Sequence, residues 1–62
     1  MKLYTVYVSG IKFGSYHNQS TAIHNAQYKS RDFIQTEIYV VEGVTPRFYA
    51  RYYNDECVKY VG

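Results

Sequence analysis

The chain has 62 residues, a formal net charge of +2 and hydrophobic residues at 47% of its positions. A chain of this length forms one small domain at most and buries only about 60% of the surface that its unfolded form exposes. The chain has a single cysteine, Cys57, which excludes an internal disulfide, and no spacing of Cys and His residues predicts a zinc site. The charges are scattered along the chain, which argues against a protein specialised for binding polyanions. We therefore expect a single small domain over residues 1–62, of marginal stability and without a cofactor.

Two alternating segments, residues 3–9 and 11–16, predict a β-hairpin at the start of the chain. Ser9-Gly10 between them supplies the positive backbone angle that a tight hairpin turn requires. We expect the inward-facing side chains of this hairpin to be Val6, Val8 and Phe13. The first segment is too short and too interrupted for the apolar region of a signal peptide, and no stretch reaches the roughly 18 apolar residues of a membrane helix. These patterns predict a cytoplasmic protein with no membrane association.

A helix is predicted over residues 21–31, with Ser20 or Thr21 as the capping residue. Its apolar stripe is narrow and consists of Ala22, Ile23 and Ala26, continued by Ser30 and Phe33. Such a stripe is too weak to stabilise an isolated helix of this length. We therefore expect the helix to form by packing on a sheet, where its small alanines permit a close approach.

The second half of the chain predicts three more strands. Residues 34–42 are rich in β-branched side chains, with Ile38 and Val40 facing inward, and end at Gly43. Residues 47–53 alternate again, with Phe48, Ala50 and Tyr52 on one face and Arg47, Tyr49, Arg51 and Tyr53 on the other. Asn54-Asp55 predicts a second hairpin turn, followed by a short last strand over residues 57–61.

The predicted order is β-β-α-β-β-β. This order favours an α+β fold in which one antiparallel sheet of four to five strands carries a single helix on one face. One helix covers one side of a sheet, so the other side must meet solvent or a partner. The uncovered face is therefore where we look for function.

Nine tyrosines are the most distinctive feature of the composition, and the alternation of the strands divides them. A tyrosine ring packs like an apolar group while its hydroxyl requires water or a partner, so tyrosine suits both a sheet core and a binding surface. We expect the core to include Tyr4, Tyr16, Tyr52 and Tyr60. The predicted partner-binding residues on the uncovered face are Tyr7, Tyr39, Arg47, Tyr49, Arg51 and Tyr53, beside Thr5 and Glu37. A register change of one residue would exchange the two faces of the third and fourth strands.

No constellation in the sequence indicates catalysis or metal binding. His17 and His24 are separated by a predicted helix start and do not have the i, i+4 spacing of a metal pair. Nothing near Cys57 marks it as a nucleophile, and the glycines do not form a phosphate-binding loop, although Gly14 predicts a bulge or a close approach by a ring. We therefore expect a protein that is not an enzyme.

The uncovered face could simply be exposed to solvent, with its tyrosines stabilising the sheet. If it has a function, three possibilities remain open. Tyrosine and arginine are enriched at protein interfaces, which favours a protein partner and a role as an inhibitor or regulator. The same side chains suit single-stranded nucleic acid, because bases stack on rings and guanidinium groups bind phosphate. A homodimer through this face or through an exposed edge strand is the third possibility. In size and pattern the chain resembles small accessory proteins of phages and mobile elements, a resemblance that carries no functional residue with it.

Overall fold

A computed structural model describes residues 2–62 and confirms the predicted α+β architecture, with one helix packed on an antiparallel sheet. The elements are β1 (Lys2–Val8), β2 (Ile11–Tyr16), α1 (Gln19–Lys29), β3 (Gln35–Glu42), β4 (Thr45–Tyr53) and β5 (Glu56–Tyr60). No helix within residues 2–62 is long and apolar enough to cross a membrane.

The five strands lie in the order β2-β1-β3-β4-β5, with every neighbouring pair antiparallel. The chain leaves β2 at one edge, crosses the sheet through α1 and returns as β3 beside β1. β3 is therefore the central strand, with β1 and β4 beside it, and β2 and β5 form the two edges of the sheet.

Both predicted hairpin turns are confirmed. Ser9 and Gly10 have φ values of 51° and 83°, and Asn54 and Asp55 have φ values of 49° and 70°. Two consecutive positive φ values are the signature of the type I′ turn, whose twist matches that of the flanking strands. These two dipeptides therefore determine where β1 turns into β2 and β4 into β5.

The helix begins two residues earlier than predicted, and its cap is Asn18. The Asn18 side-chain oxygen accepts a hydrogen bond from the Thr21 N–H at 3.2 Å, so the predicted caps Ser20 and Thr21 are wrong. At the other end, the buried Ser30 hydroxyl donates to the Gln27 carbonyl at 2.7 Å and accepts from the Asp55 N–H at 2.9 Å. The end of α1 is thereby attached to the turn between β4 and β5.

The core lies between α1 and one face of the sheet. It consists of Tyr4, Val6, Ala22, Ala26, Ile38, Val40, Tyr49, Ala50 and Tyr52, with Val8, Tyr16 and Ile23 packed at its margin. The inward positions predicted for Val6, Ile38 and Val40 are confirmed, as are the predicted core positions of Tyr4 and Tyr52. The buried alanines of α1 allow the helix to approach the sheet closely.

Three apolar residues predicted to be inside are exposed. Phe13 is 45% exposed and lies beneath the Lys29 ammonium, while Tyr60 is 60% exposed on the last strand. Phe33 lies beyond the end of α1 and is 68% exposed, so it does not continue the apolar stripe of the helix. The core is therefore built from smaller side chains and from three tyrosines.

Each hairpin and the central β3–β4 pair contain a one-residue register shift. The extra residues are Phe13 in β2, Tyr49 in β4 and Val58 in β5. A bulge of this kind reverses the alternation of faces on one side of the inserted residue. The predicted irregularity at Gly14 follows from the first of them, and the Tyr16 hydroxyl closes over Gly14 so tightly that a β-carbon there would lie 2.9 Å away.

Candidate partner-binding face

The open face is the side of the sheet opposite α1. Its side chains, by strand register, are Leu3, Thr5, Tyr7, Lys12, Ser15, Gln35, Glu37, Tyr39, Val41, Pro46, Phe48, Arg51, Tyr53, Glu56 and Lys59. It draws on all five strands, and its middle is occupied by aromatic rings.

Three rings form a continuous row across the open face. Tyr7 on β1 and Tyr39 on β3 meet edge to face, with ring centroids 5.5 Å apart and an interplanar angle of 84°. Tyr39 meets Phe48 on β4 in the same way, at 5.7 Å and 82°. Edge-to-face pairs stabilise by about 0.5–1.5 kcal/mol beyond their buried area. These three residues, Tyr7, Tyr39 and Phe48, are called the ring row and form a contiguous aromatic surface at the centre of the open face.

Two cations flank one end of the ring row. The Arg51 guanidinium and the Lys59 ammonium each lie 5.5 Å from the centroid of the Phe48 ring. Arg51 also donates through Nε and Nη2 to the Glu37 Oε2, at 3.0 and 2.8 Å. The ion pair is only partly exposed, with 38% of the Arg51 and 19% of the Glu37 side chain accessible. Arg51 is therefore held in place by a ring on one side and a carboxylate on the other.

A shallow groove of about 300 Å³ runs along the open face beside the ring row. Its lining residues are Tyr7, Gly10, Glu37, Tyr39 and Pro46. The groove combines tyrosine ring surface with one carboxylate, so it can receive an apolar side chain that carries a hydrogen-bond donor at its end.

Tyr53 lies on the open face as predicted, but at the end of β4 and away from the ring row. Its ring packs against Phe33, with centroids 6.1 Å apart. Arg51 stands between Tyr53 and Phe48 along the strand. The open face therefore holds a second, smaller aromatic pair at its border.

Two residues predicted for the open face lie on the other side of the sheet. Tyr49 is the bulged residue of β4 and is only 4% exposed, with its ring against Tyr4 at 5.4 Å and its hydroxyl accepting a hydrogen bond from Gln19. Arg47 pairs with the inward-facing Val40, and its Nη1 donates to the Gly62 carbonyl at 2.7 Å. Both predicted positions are wrong because the bulge reverses the alternation before Ala50.

Burial gives Tyr49 an unusual electrostatic environment. Desolvation raises its pKa well above the ordinary value, and the adjacent Tyr60 hydroxyl, 3.5 Å away, raises it further. Burial also raises the pKa of Tyr52, with a smaller contribution from Cys57. These two hydroxyls remain neutral at physiological pH and belong to the core, so they add no charge to the open face.

Two open-face residues, Phe48 and Lys59, were absent from the predicted site. Phe48 was expected inside because regular alternation places it with Ala50 and Tyr52. Lys59 reaches the open face because Val58 is an extra residue in β5, which brings Lys59 opposite Arg51. The adjacent Phe48 and Tyr49 indicate that one ring faces the helix and one faces outward, but local alternation does not indicate which of them is outward.

Within residues 2–62, no three His, Cys, Asp or Glu side chains lie close enough together to hold a metal ion. Both histidines are exposed, and the Cys57 thiol is exposed and directed at the Lys59 carbonyl, 3.6 Å away. Comparisons with protein-family models, curated proteins and solved structures found no match to this chain.

Proposed function

We propose that this protein is a non-enzymatic interaction module that binds a protein partner through its open face and acts as an inhibitor or regulator of that partner. The observation that carries the proposal is the ring row, in which Tyr7, Tyr39 and Phe48 form a contiguous surface beside Arg51. Tyrosine and arginine are the residues that most often dominate binding energy at protein interfaces. Rings already locked against each other lose little conformational entropy on binding.

Two features of the open face favour a protein over a nucleic acid. Glu37 lies among the rings and would repel a phosphate backbone, while in a protein complex the half-buried pair with Arg51 can be completed by polar groups of the partner. The Phe48 ring is already in contact with Arg51 and Lys59, which compete with a base for stacking on it.

Single-stranded nucleic acid is the alternative occupant. The observation in its favour is that cations lie on the strands around the ring row, with Lys12 on β2, Arg51 on β4 and Lys59 on β5. Rings at the centre and cations at the border suit a strand whose bases stack and whose phosphates meet the border.

The experiment begins with affinity capture of the partner from cells of the source organism and its purification. Titration calorimetry then compares the wild type with Tyr39→Ala and Arg51→Ala, each of which should weaken binding by about 30-fold, equivalent to about 2 kcal/mol. His24→Ala is the matched control, because His24 is an exposed residue of α1 on the opposite side of the molecule. Circular dichroism confirms that each variant is folded. Unchanged affinity in Tyr39→Ala and Arg51→Ala would refute the open face as the binding site.

A second titration tests the alternative with a fluorescein-labelled oligonucleotide of mixed sequence. A phosphate-driven complex loses affinity steeply between about 50 and about 200 mM salt. We expect no saturable binding at either salt concentration. Salt-sensitive binding that Arg51→Ala weakens would instead support the nucleic-acid function.

A further inference from the structure

The last strand of the sheet is an exposed edge. All five residues of β5 are exposed, and α1 packs on β1 to β4 without covering it. β5 pairs with β4 on one side, and no strand within residues 2–62 pairs with its outer side. Val58 is 53% exposed beside the exposed Tyr60. An uncovered edge with apolar side chains is a template for pairing with another strand.

We propose that β5 is the interface between two copies of this chain. The two β5 strands pair antiparallel about a two-fold axis at Cys57-Val58, which joins the two sheets edge to edge into one continuous sheet. This inference does not rest on the partner proposed for the open face, although its two charged residues, Glu56 and Lys59, lie at the border of that face.

The positions of the charged residues along β5 favour pairing with a second copy of the same strand. The strand begins with Glu56 and has Lys59 near its end. Antiparallel pairing brings Glu56 of each copy close to Lys59 of the other, giving two symmetry-related ion pairs. Parallel pairing would instead place like charges side by side, which destabilises a strand pair. The strand is therefore complementary to itself in the antiparallel direction.

The bulge at Val58 places these two charges on the same face. Glu56 pairs with Tyr53 and Lys59 pairs with Arg51, and both partners belong to the open face. In a regular strand, residues three apart point to opposite faces. The extra residue therefore lets Glu56 of one copy meet Lys59 of the second copy on one side of the joined sheet.

Lysine often protects an edge strand from pairing. In the free chain the Lys59 ammonium lies over the Phe48 ring on the open face, 5.5 Å from its centroid, and not over the outer edge of β5. In the dimer the Lys59 side chain leaves that ring to reach Glu56 of the second copy. The other edge strand lacks the charge order of β5, because β2 carries Lys12 and no acidic residue. Antiparallel self-pairing of β2 would therefore form no ion pair between the two copies. β5 is therefore the edge that favours a second copy.

Sedimentation velocity over about 5 µM to about 1 mM tests the dimer, because interfaces of this small size associate weakly. The wild type should shift from monomer to dimer across this range. Glu56→Lys and Lys59→Glu should each weaken the dimer by at least about tenfold, and the double variant Glu56→Lys/Lys59→Glu should restore it, since the ion pairs re-form with reversed sign. A monomeric wild type at every concentration, or a double variant no stronger than the single ones, would overturn the proposal.

Cys57 offers an independent test, because its exposed thiol lies beside the proposed axis. A short bismaleimide should cross-link two wild-type chains efficiently. The matched control is Cys57→Ser/Lys12→Cys, which moves the single thiol to the opposite edge strand. Cross-linking should fall at least about fivefold in this control. Equal cross-linking of the two proteins would show that the contact is random and would exclude β5 as the interface.

Discussion

Phe33 has a left-handed backbone conformation that residues other than glycine seldom adopt. Its φ is 62°, and that of the preceding Asp32 is 65°. A left-handed conformation costs a non-glycine residue roughly 1–2 kcal/mol. The surrounding structure imposes it, because Ser30 is attached to the Asp55 turn on one side and β3 begins at Gln35 on the other. The strain holds an exposed ring against Tyr53 at the border of the open face.

Replacing Phe33 with glycine should relieve this strain. The matched control is Phe33→Ala, which removes the same ring but keeps a β-carbon. Because both variants lose the contact with Tyr53, their difference isolates the backbone contribution. We expect the free energy of unfolding of Phe33→Gly to exceed that of Phe33→Ala by about 1 kcal/mol in urea denaturation. Equal stability of the two variants would show that the backbone is not strained in solution.

The helix depends on attachments at its ends more than on its apolar face. Its buried side chains are Ala22 and Ala26, which remove little apolar area from water. The Ala26 carbonyl accepts a hydrogen bond from the buried Thr36 hydroxyl of β3 at 2.8 Å, and the Gln27 amide donates to the Asp55 carbonyl at 3.1 Å. These polar contacts position the helix across the sheet, so losing one of them affects the whole fold.

The N-terminal cap is the attachment most easily tested. Asn18→Ala leaves the Thr21 N–H without its acceptor and should lower the free energy of unfolding by about 1 kcal/mol. Asn18→Asp keeps the acceptor and places a negative charge at a helix end whose first turn has no acidic residue. It should therefore match or exceed the wild type, by up to about 0.5 kcal/mol. Urea denaturation measures both, and a destabilised Asn18→Asp would contradict the capping role.

The elements could be predicted from the sequence, but the faces of β4 could not. Strands and hairpin turns follow from local alternation and from dipeptides such as Ser9-Gly10. The bulge at Tyr49 is different, because Phe48 and Tyr49 are adjacent aromatic residues. Either of them can supply the ring that faces the helix. The number of apolar residues on each face of β4 is the same in both registers, so the hydrophobic pattern does not distinguish them. Which ring is buried depends on packing against Tyr4 and Gln19, which are distant in sequence.

The uncertain register of β4 also determines which residues of the candidate site can be predicted from the sequence. β1 and β3 pair without a bulge, so regular alternation places Tyr7 and Tyr39 correctly on the open face. Arg51 follows the β4 bulge and was also placed correctly. Arg47 precedes that bulge and was exchanged with the other face. A site built across several strands is therefore predictable where the register is regular.

At the scale of the whole molecule, tyrosine replaces the large aliphatic residues of a typical core. Tyr4, Tyr49 and Tyr52 are buried in the core, and burial raises the pKa of the Tyr49 and Tyr52 hydroxyls. A buried phenol can remain neutral at little cost, but ionisation there is opposed by desolvation. The stability of the whole domain is therefore linked to tyrosine ionisation at alkaline pH.

The direction of this linkage follows from the raised pKa values of Tyr49 and Tyr52. In the unfolded chain these tyrosines ionise near pH 10, whereas in the folded protein they retain their protons to higher pH. The unfolded state therefore loses protons first and is stabilised as the pH rises. The stabilising effect of the two neutral hydroxyls is complete below about pH 10 and decreases above it, by up to about 1.4 kcal/mol per pH unit for each tyrosine.

Urea denaturation at a series of pH values from about 8 to about 11 measures this effect. The free energy of unfolding of the wild type should change little at the lower end and fall increasingly steeply above pH 10. Tyr49→Phe should fall less steeply, because one of the two linked ionisations is removed, even though the loss of the hydrogen bond from Gln19 lowers its stability at neutral pH by about 1 kcal/mol. The double variant Tyr49→Phe/Tyr52→Phe should fall least steeply of the three. If the slope above pH 10 were the same in all three proteins, the buried tyrosines would not be the groups that link alkaline pH to unfolding.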